Sequence, residues 1–335
     1  MINKIYVGIK DFMKDNYKSL IALIVIFLLF MIELPYSIYT PGGAVDLNER
    51  IMVEDGSSST GSFNMAYVSM VKGSTPFLLL SYIIPDWDIV KKDNITIEGE
   101  NMDDMLAREK LYMQESIDAA IINAYKEAGK KLTITNTIHK VSYIAEDAST
   151  DLKIGDQIIS VNGESISSLQ DLKNKVNTFV ENDVVKIKIK RNNKEKEASA
   201  KVYKTSDGLK IGVSLITNYE YDSDPKITVK SKASEAGSSG GLMMSLTIYN
   251  KLTDKDITRG KKIVGTGTID IDGNVGEIGG VKYKLIGAVK NKAEIFICPL
   301  ENYEEAKKVA KERNYDIKII SASTFQEVLE KLEKL

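Results

Sequence analysis

The sequence predicts an α+β protein preceded by one hydrophobic helix. Three observations predict it. An unbroken apolar run of thirteen residues, Leu20 to Ile32, lies near the N-terminus. Residues 44–100 are β-rich, with alternation typical of half-buried strands. The last third alternates strand-like and helix-like stretches. The 335 residues suffice for about two domains, and 27% charged with 43% hydrophobic residues suits a folded chain. A net charge of −2 provides no global field for nucleic acid, so no nucleic-acid partner is expected.

The apolar run is extended by its neighbours to residues 18–38, about the length that crosses a bilayer. Glu33, Tyr36 and Tyr39 are expected at the outer interface. Lys4, Lys10, Lys14 and Lys18 precede the run against Asp11 and Asp15; Asp46, Glu49, Glu54 and Asp55 follow it against Arg50 alone. The positive-inside rule puts the N-terminus in the cytoplasm and everything after Pro41 outside. A cleaved signal peptide is the alternative, but no A-x-A site follows the run.

The remaining elements follow in order. Ser62–Met70 alternates as a strand, and Ser74-Thr75-Pro76 leads into a second apolar stretch, Phe77–Ile84. Residues 101–128 read as a helix whose apolar face carries Leu106, Met113, Ile117, Ala120, Ile121 and Ala124, closed by Gly129. A distinct unit spans 132–205. It holds Asp151-Leu-Lys-Ile-Gly-Asp-Gln-Ile-Ile-Ser-Val-Asn-Gly163, a helix near 168–180, and a hairpin of Val184–Lys190 and Glu195–Val202 turning at Asn192-Asn193. Beyond it come a strand at Lys226–Lys230, a Ser/Gly-rich loop at 234–241 and a helix at Leu242–Leu252. A hairpin, Ile263–Ile271 with Asn274–Ile278, turns at Asp272-Gly273. The end reads helix after Gly279-Gly280, strand Glu294–Cys298, helix 301–313, strand Ile317–Ile320 and helix 324–334.

One His and one Cys occur in the chain. Intrachain disulfides and zinc sites with three or four His/Cys ligands are therefore excluded, and neither metal nor cofactor is expected. Cys298 reads as core, and His139 as a surface residue. Gly237-Ser-Ser-Gly-Gly241 is a G-x-S-x-G centred on Ser239, between a strand and an amphipathic helix. At a helix N-terminus, free amides hold an oxyanion or, equally, a phosphate. An α/β-hydrolase would need a His after the serine; His139 precedes it. A nucleophilic Ser239 therefore needs another base, and lysine leads because burial populates its neutral amine. Lys282 and Lys284 stand in an otherwise apolar stretch. They point some 200° apart on a helix at about 100° per residue, so one of them faces the serine, and spacing does not choose between them.

The core L-x-x-G-D-x-I-x-x-V-N-G resembles a PDZ domain, which implies a peptide groove between a strand and the helix. The stretch 226–300 resembles the proteolytic domain of Lon, a serine–lysine peptidase. Its D-G-P-S-A-G corresponds to Glu235-Ala-Gly-Ser-Ser-Gly-Gly241, its T-G-E/T-I to Thr266-Gly-Thr-Ile269, and its I-G-G-L-K-E-K-L to Ile278-Gly-Gly-Val-Lys-Tyr-Lys-Leu285. The helix Tyr112–Ala120 resembles the one that precedes the nucleophile strand in Lon. The resemblance implies a mixed sheet with helices, of the ribosomal-protein-S5-domain-2 type. It also implies Ser239 as nucleophile, Lys284 as base, Thr266 as a support for the amine, and an oxyanion hole of backbone amides at Ser238, Ser239 and Gly240. Ser238 and Gly240 replace the family's Pro and Ala, which leaves Ser238 a rival nucleophile. The Lon ATPase is missing, since no G-x-x-x-x-G-K-[ST] occurs. The implied organisation is an anchor at 1–40, protease segments at 41–131 and 206–335, and an inserted PDZ unit at 132–205. Together these resemble the bacterial YlbL-type membrane proteases. They imply an ATP-independent serine endopeptidase acting on protein or peptide substrates, with tails bound at the PDZ unit and self-association by analogy with Lon rings. The rival reading is a catalytically inactive, membrane-tethered PDZ adaptor.

Overall fold

The computed structural model describes residues 2–206 and 208–335, with side chains from Ile5. Met1, Asp207 and the side chain of Lys4, counted above in the charge bias, lie outside the described residues. The N-terminal part runs α1 (Ile2–Met31), β1 (Tyr36–Asp46), β2 (Ile51–Val53), β3 (Ser62–Lys72), α2 (Thr75–Ser81), β4 (Asp88–Lys91) and α3 (Met102–Glu127). The middle runs β5 (Lys131–Ile144), β6 (Gln157–Val161), β7 (Glu164–Ser165), α4 (Leu169–Val176), β8 (Val184–Arg191), β9 (Lys194–Lys201), β10 (Tyr203–Thr205), β11 (Gly208–Lys210) and β12 (Val213–Asp224). The rest runs β13 (Ile227–Val229), α5 (Gly241–Leu252), β14 (Lys262–Gly265), β15 (Thr268–Ile269), β16 (Val275–Gly276), α6 (Val281–Lys290), β17 (Ile295–Pro299), α7 (Tyr303–Glu312), β18 (Lys318–Ala322) and α8 (Phe325–Glu333).

Two compact units divide the chain: residues up to Pro41 with Ser69–Ile95, and Gly42–Val68 with Thr96–Leu335. In the first, α1 exposes apolar side chains on all sides, among them Leu23, Ile26, Phe27 and Met31. The helix stops at Met31, and after Pro35 the chain turns into β1, where Ser37 and Ile38 are buried and Tyr36–Tyr39 pair with β4. The expected span of 18–38 is therefore corrected: Tyr36 and Tyr39 are strand residues, and Glu33 is ion-paired with Lys72 and Lys92. Among the described residues, no helix is long and apolar enough to cross a membrane. The apolar stretch Phe77–Ile84 begins inside helix α2, where Pro76 in the first turn pre-sets helical φ.

The second unit is built on a sheet with the order β18-β17-β14-β3-β1. β3, β14, β17 and β18 run parallel. Strand alternation assigns the two faces. Phe63, Ile263, Ile295 and Ile297 point into a core shared with α3, α5 and α8. Ala66, Val264, Phe296 and Cys298 point into a second core under α6 and α7. Leu106, expected on the buried face of α3, is exposed; Met105 is buried instead.

Between α3 and β13 the chain forms the PDZ-like sheet, ordered β12-β5-β6-β8-β9, with β7 beside β6. Along β8, Val185, Ile187 and Ile189 are buried and the intervening lysines are exposed. Asn192 and Asn193 hold φ of 50° and 58°, the conformation that lets a two-residue turn follow strand twist. The sheet includes β12, which lines up against nearly the whole of β5. His139 is buried rather than on the surface: it faces Thr217 across this pair, with Nδ1 3.1 Å from the threonine Oγ1.

Candidate active site

Three segments of the second unit converge on Ser239. The first is the loop that carries it. Gly237 holds φ +98°, which favours glycine, and donates its amide to the Glu109 carbonyl of α3 at 3.0 Å. Two turns further along α3, Ser116 Oγ donates to the Ser238 carbonyl at 2.7 Å. Helix α3 thus pins both ends of the tight turn. α5 then starts at Gly241, so the amides just before it have no intrahelical partner. Among the described residues, no backbone carbonyl accepts from Ser238, Ser239 or Gly240. Their amides are available to an oxyanion. A side chain at Gly240 would bring its Cβ 2.0 Å from Met65 Sδ, which accounts for glycine at this position.

The second segment is the exit from β14. The sequence reads Ile263–Ile271 as one strand; the structure breaks it at Thr266-Gly267. The first half stays in the parallel sheet and the second forms a small hairpin with β16. At the break the Thr266 hydroxyl donates to the Ser239 carbonyl at 3.0 Å, and the Gly267 amide donates to the same oxygen at 2.8 Å.

The third is α6. Gly280 starts it at φ +70°, and Asn302 holds the approach through both the amide and carbonyl of Ile278, at 2.9 and 3.0 Å. The pitch separates the two lysines. Lys282 lies partly exposed over the Tyr283 ring, while Lys284 is 4% exposed and points inward. Lys284 Nζ donates to Thr266 Oγ1 at 3.1 Å. Burial alone lowers its pKa from the ordinary 10.5 to about 8.

The arrangement is therefore a chain: Lys284 amine to Thr266 hydroxyl to Ser239 carbonyl. Ser239, Lys284 and Thr266 are brought together, with the amine resting on Thr266 rather than on Ser239 Oγ. The Ser238 carbonyl is held by Ser116, and Ser238 lines a different cleft from Ser239. Two clefts flank the turn. Ser239 lines one of about 320 Å³ with Met65, Met113, Ile117, Val229 and Met244 on one side and Arg50, Lys230, Lys232 and Glu235 among the rest of its lining. Ser238 lines another, of about 590 Å³, with Tyr112, Glu115, Thr217, Tyr219 and the β15–β16 hairpin. Cys298 is core, as expected, and burial pushes its thiol up to about 12.

Sequence reasoning missed Glu109 and Ser116. A polar residue on the apolar face of α3, beside Met113, Ile117 and Ala120, was the available signal for Ser116. Asn123, seven residues on, carries the same signal and donates to the Asp270 carbonyl at 2.7 Å.

Residues 217–334 match the family described as the Lon protease (S16) C-terminal proteolytic domain, and residues 123–202 match the PDZ domain family. Similar proteins include the Lon protease of Campylobacter jejuni subsp. jejuni, 37% identical over 95 residues, which are 28% of this chain and 12% of that protein. The Lon protease of Rickettsia typhi is 25% identical over 257 residues, 72% of this chain and 32% of that protein. The chain thus spans between about a tenth and a third of these relatives' length. Among solved structures, the PDZ domain of the SdrC-like protein from Listeria innocua is 31% identical, covering 24% of this chain and 93% of that one, with a TM-score of 0.22. Over residues 217–334 the chain is thus similar to the Lon proteolytic domain, and over residues 123–202 to the PDZ domain.

Proposed function

We propose that this chain is an ATP-independent serine endopeptidase, held at a membrane by α1, with Ser239 as nucleophile and Lys284 as general base. The observation that carries the reading is the buried Lys284 amine, lowered to about 8 and hydrogen-bonded to Thr266, which in turn holds Ser239. A substantial fraction of such an amine is neutral near pH 8 and free to accept a proton. Lys284 takes the Ser239 proton as Oγ attacks the scissile carbonyl. The amides of Ser238, Ser239 and Gly240 receive the oxyanion. The ammonium then protonates the leaving amine, and water hydrolyses the acyl-enzyme with Lys284 again as base. Thr266 steadies the amine while a substrate rotates it toward Oγ.

The PDZ unit binds substrate tails in the groove between α4 and the start of β12. The exposed apolar part of α1 is a surface that lipid, and not water, satisfies. The lysine excess before the apolar run supports a catalytic unit outside the cytoplasm; digestion of that unit by protease added to wall-stripped cells checks the orientation, and protection until lysis contradicts it.

Hydrolysis of an unfolded protein by the full chain in detergent tests the activity. Cleavage is expected, and Ser239→Ala abolishes it with the fold retained. Absence of cleavage together with retained tail binding supports the tethered adaptor instead.

A further inference from the structure

We propose that the PDZ groove and the catalytic turn lie on one substrate track, so that the enzyme cuts its substrates at a fixed distance from their C-termini. This rests on the peptidase reading above and adds the substrate class and the polarity of binding.

The track is β12. The strand forms an edge of its sheet, pairing with β5 alone. Its amides at Thr217 and Tyr219 point away from β5: Glu115 accepts from the first, and Asp118 Oδ2 from the second at 3.0 Å. The pairing slips between Ser214 and Leu215, with the extra residue, Ser142, on β5; Gly212 still accepts from Ala145 on the β5 side, which leaves Val213 and Leu215 on the outward edge, with no strand beside it. They line the groove of about 550 Å³ opposite α4. An extended peptide adds there as a strand.

The groove fixes the direction of that peptide. Its lining contains Lys173 and Lys210 and no acidic residue, which suits a carboxylate. Lys210 and Gly212 stand in the loop just before β12, where Gly212 holds φ +71°. A tail whose carboxylate sits at this loop runs antiparallel to β12, its upstream residues passing Leu215 toward Thr217. There Glu115 and Asp118 of α3 take the outward amides, so the tail leaves the strand edge and continues alongside it over the adjoining cleft. Thr217 and Tyr219 also line the cleft of about 590 Å³ that ends at Ser238. Beyond the turn, Ser239 opens into the cleft of about 320 Å³.

A substrate laid on this path has its C-terminus in the groove, its leaving-group side in the Thr217–Tyr219 cleft, its scissile carbonyl at Ser239 Oγ, and its acyl side among Met65, Met113 and Met244. Gly212 to Tyr219 is seven steps of chain, about 23 Å at roughly 3.3 Å per residue. An extended tail covering that path and the turn places the cut roughly seven to ten residues from the end.

The test uses the full chain in detergent and a disordered polypeptide ending in an apolar residue. Three forms are compared: free carboxylate, C-terminal amide, and free carboxylate with a short glycine–serine insert near the end. Products are mapped by mass spectrometry. The free form is expected to yield C-terminal fragments clustered at roughly seven to ten residues. The insert keeps that fragment length while changing which residues are cut. Amidation lowers the rate at that place by at least about tenfold, the worth of a charge-assisted contact. Cuts that follow local sequence at any distance from the end, or that ignore amidation, overturn the fixed distance while the peptidase reading stands. No hydrolysis of any form overturns both.

Discussion

The two sides of the proposed catalytic centre are built on opposite principles. The nucleophile side is shallow and backbone-made: Ser239 sits in a half-buried turn opening on clefts, fixed by the Gly237 amide, the Ser238 carbonyl and its own carbonyl. The base side is deep and made of side chains: Lys284 and Thr266 are 4% and 0% exposed. The difference teaches how a lysine replaces a histidine. A serine needs access and amides, whereas a lysine needs to lose its solvent. Burial that shifts an amine from 10.5 to about 8 costs the charged form about 3 kcal/mol. The sign follows directly: below pH 8 the folded protein carries this cost in full, and it is relieved as pH rises from about 8 to 10.5. The base site is therefore a place where stability is given up for reactivity.

The sharpest way to break the comparison is Lys284→Arg. Guanidinium stays protonated and accepts no proton, so kcat/KM for an unfolded protein is expected to fall by at least about 10³-fold. Lys282→Arg, two residues away but over the Tyr283 ring, is the control, expected within about twofold of wild type. The reverse ranking moves the base to Lys282. A middle effect sharpens the comparison. Thr266→Val removes the acceptor of the Lys284 amine and one donor to Ser239. It is expected to lower kcat/KM about 10- to 100-fold. It also shifts the alkaline rise in rate to lower pH, because the ammonium loses its partner. A pH profile that falls in height without moving shows that Thr266 acts on the loop alone.

How far the site was legible follows from the same contrast. Alternation and turn chemistry exposed β3, β8, β9 and the helices of the last third, since each depends on neighbours in sequence. The Lys282–Lys284 choice needed a family match, because helical pitch says that the two diverge but not which way the helix faces. The break at Thr266 was read through: Gly265-Thr266-Gly267-Thr268 interrupts Ile263–Ile271, and the bonds from Thr266 and Gly267 to the Ser239 carbonyl divide it. His139 was misplaced because its cover is β12, almost 80 residues away. Phe77–Ile84 was read only as an apolar stretch, its helical start marked by Pro76, and the end of α1 was missed because β1 begins within the expected span.

The central claim is that a buried Lys284, whose amine loses its proton near pH 8, activates Ser239. Labelling with a serine-directed fluorophosphonate, located by mass spectrometry across a pH series, tests it most directly. The account predicts a single modified residue, Ser239, with a labelling rate that rises through one ionisation near pH 8 and is lost in Lys284→Arg. Labelling at Ser238, or at Ser239 with a rate indifferent to pH and to Lys284, would contradict it.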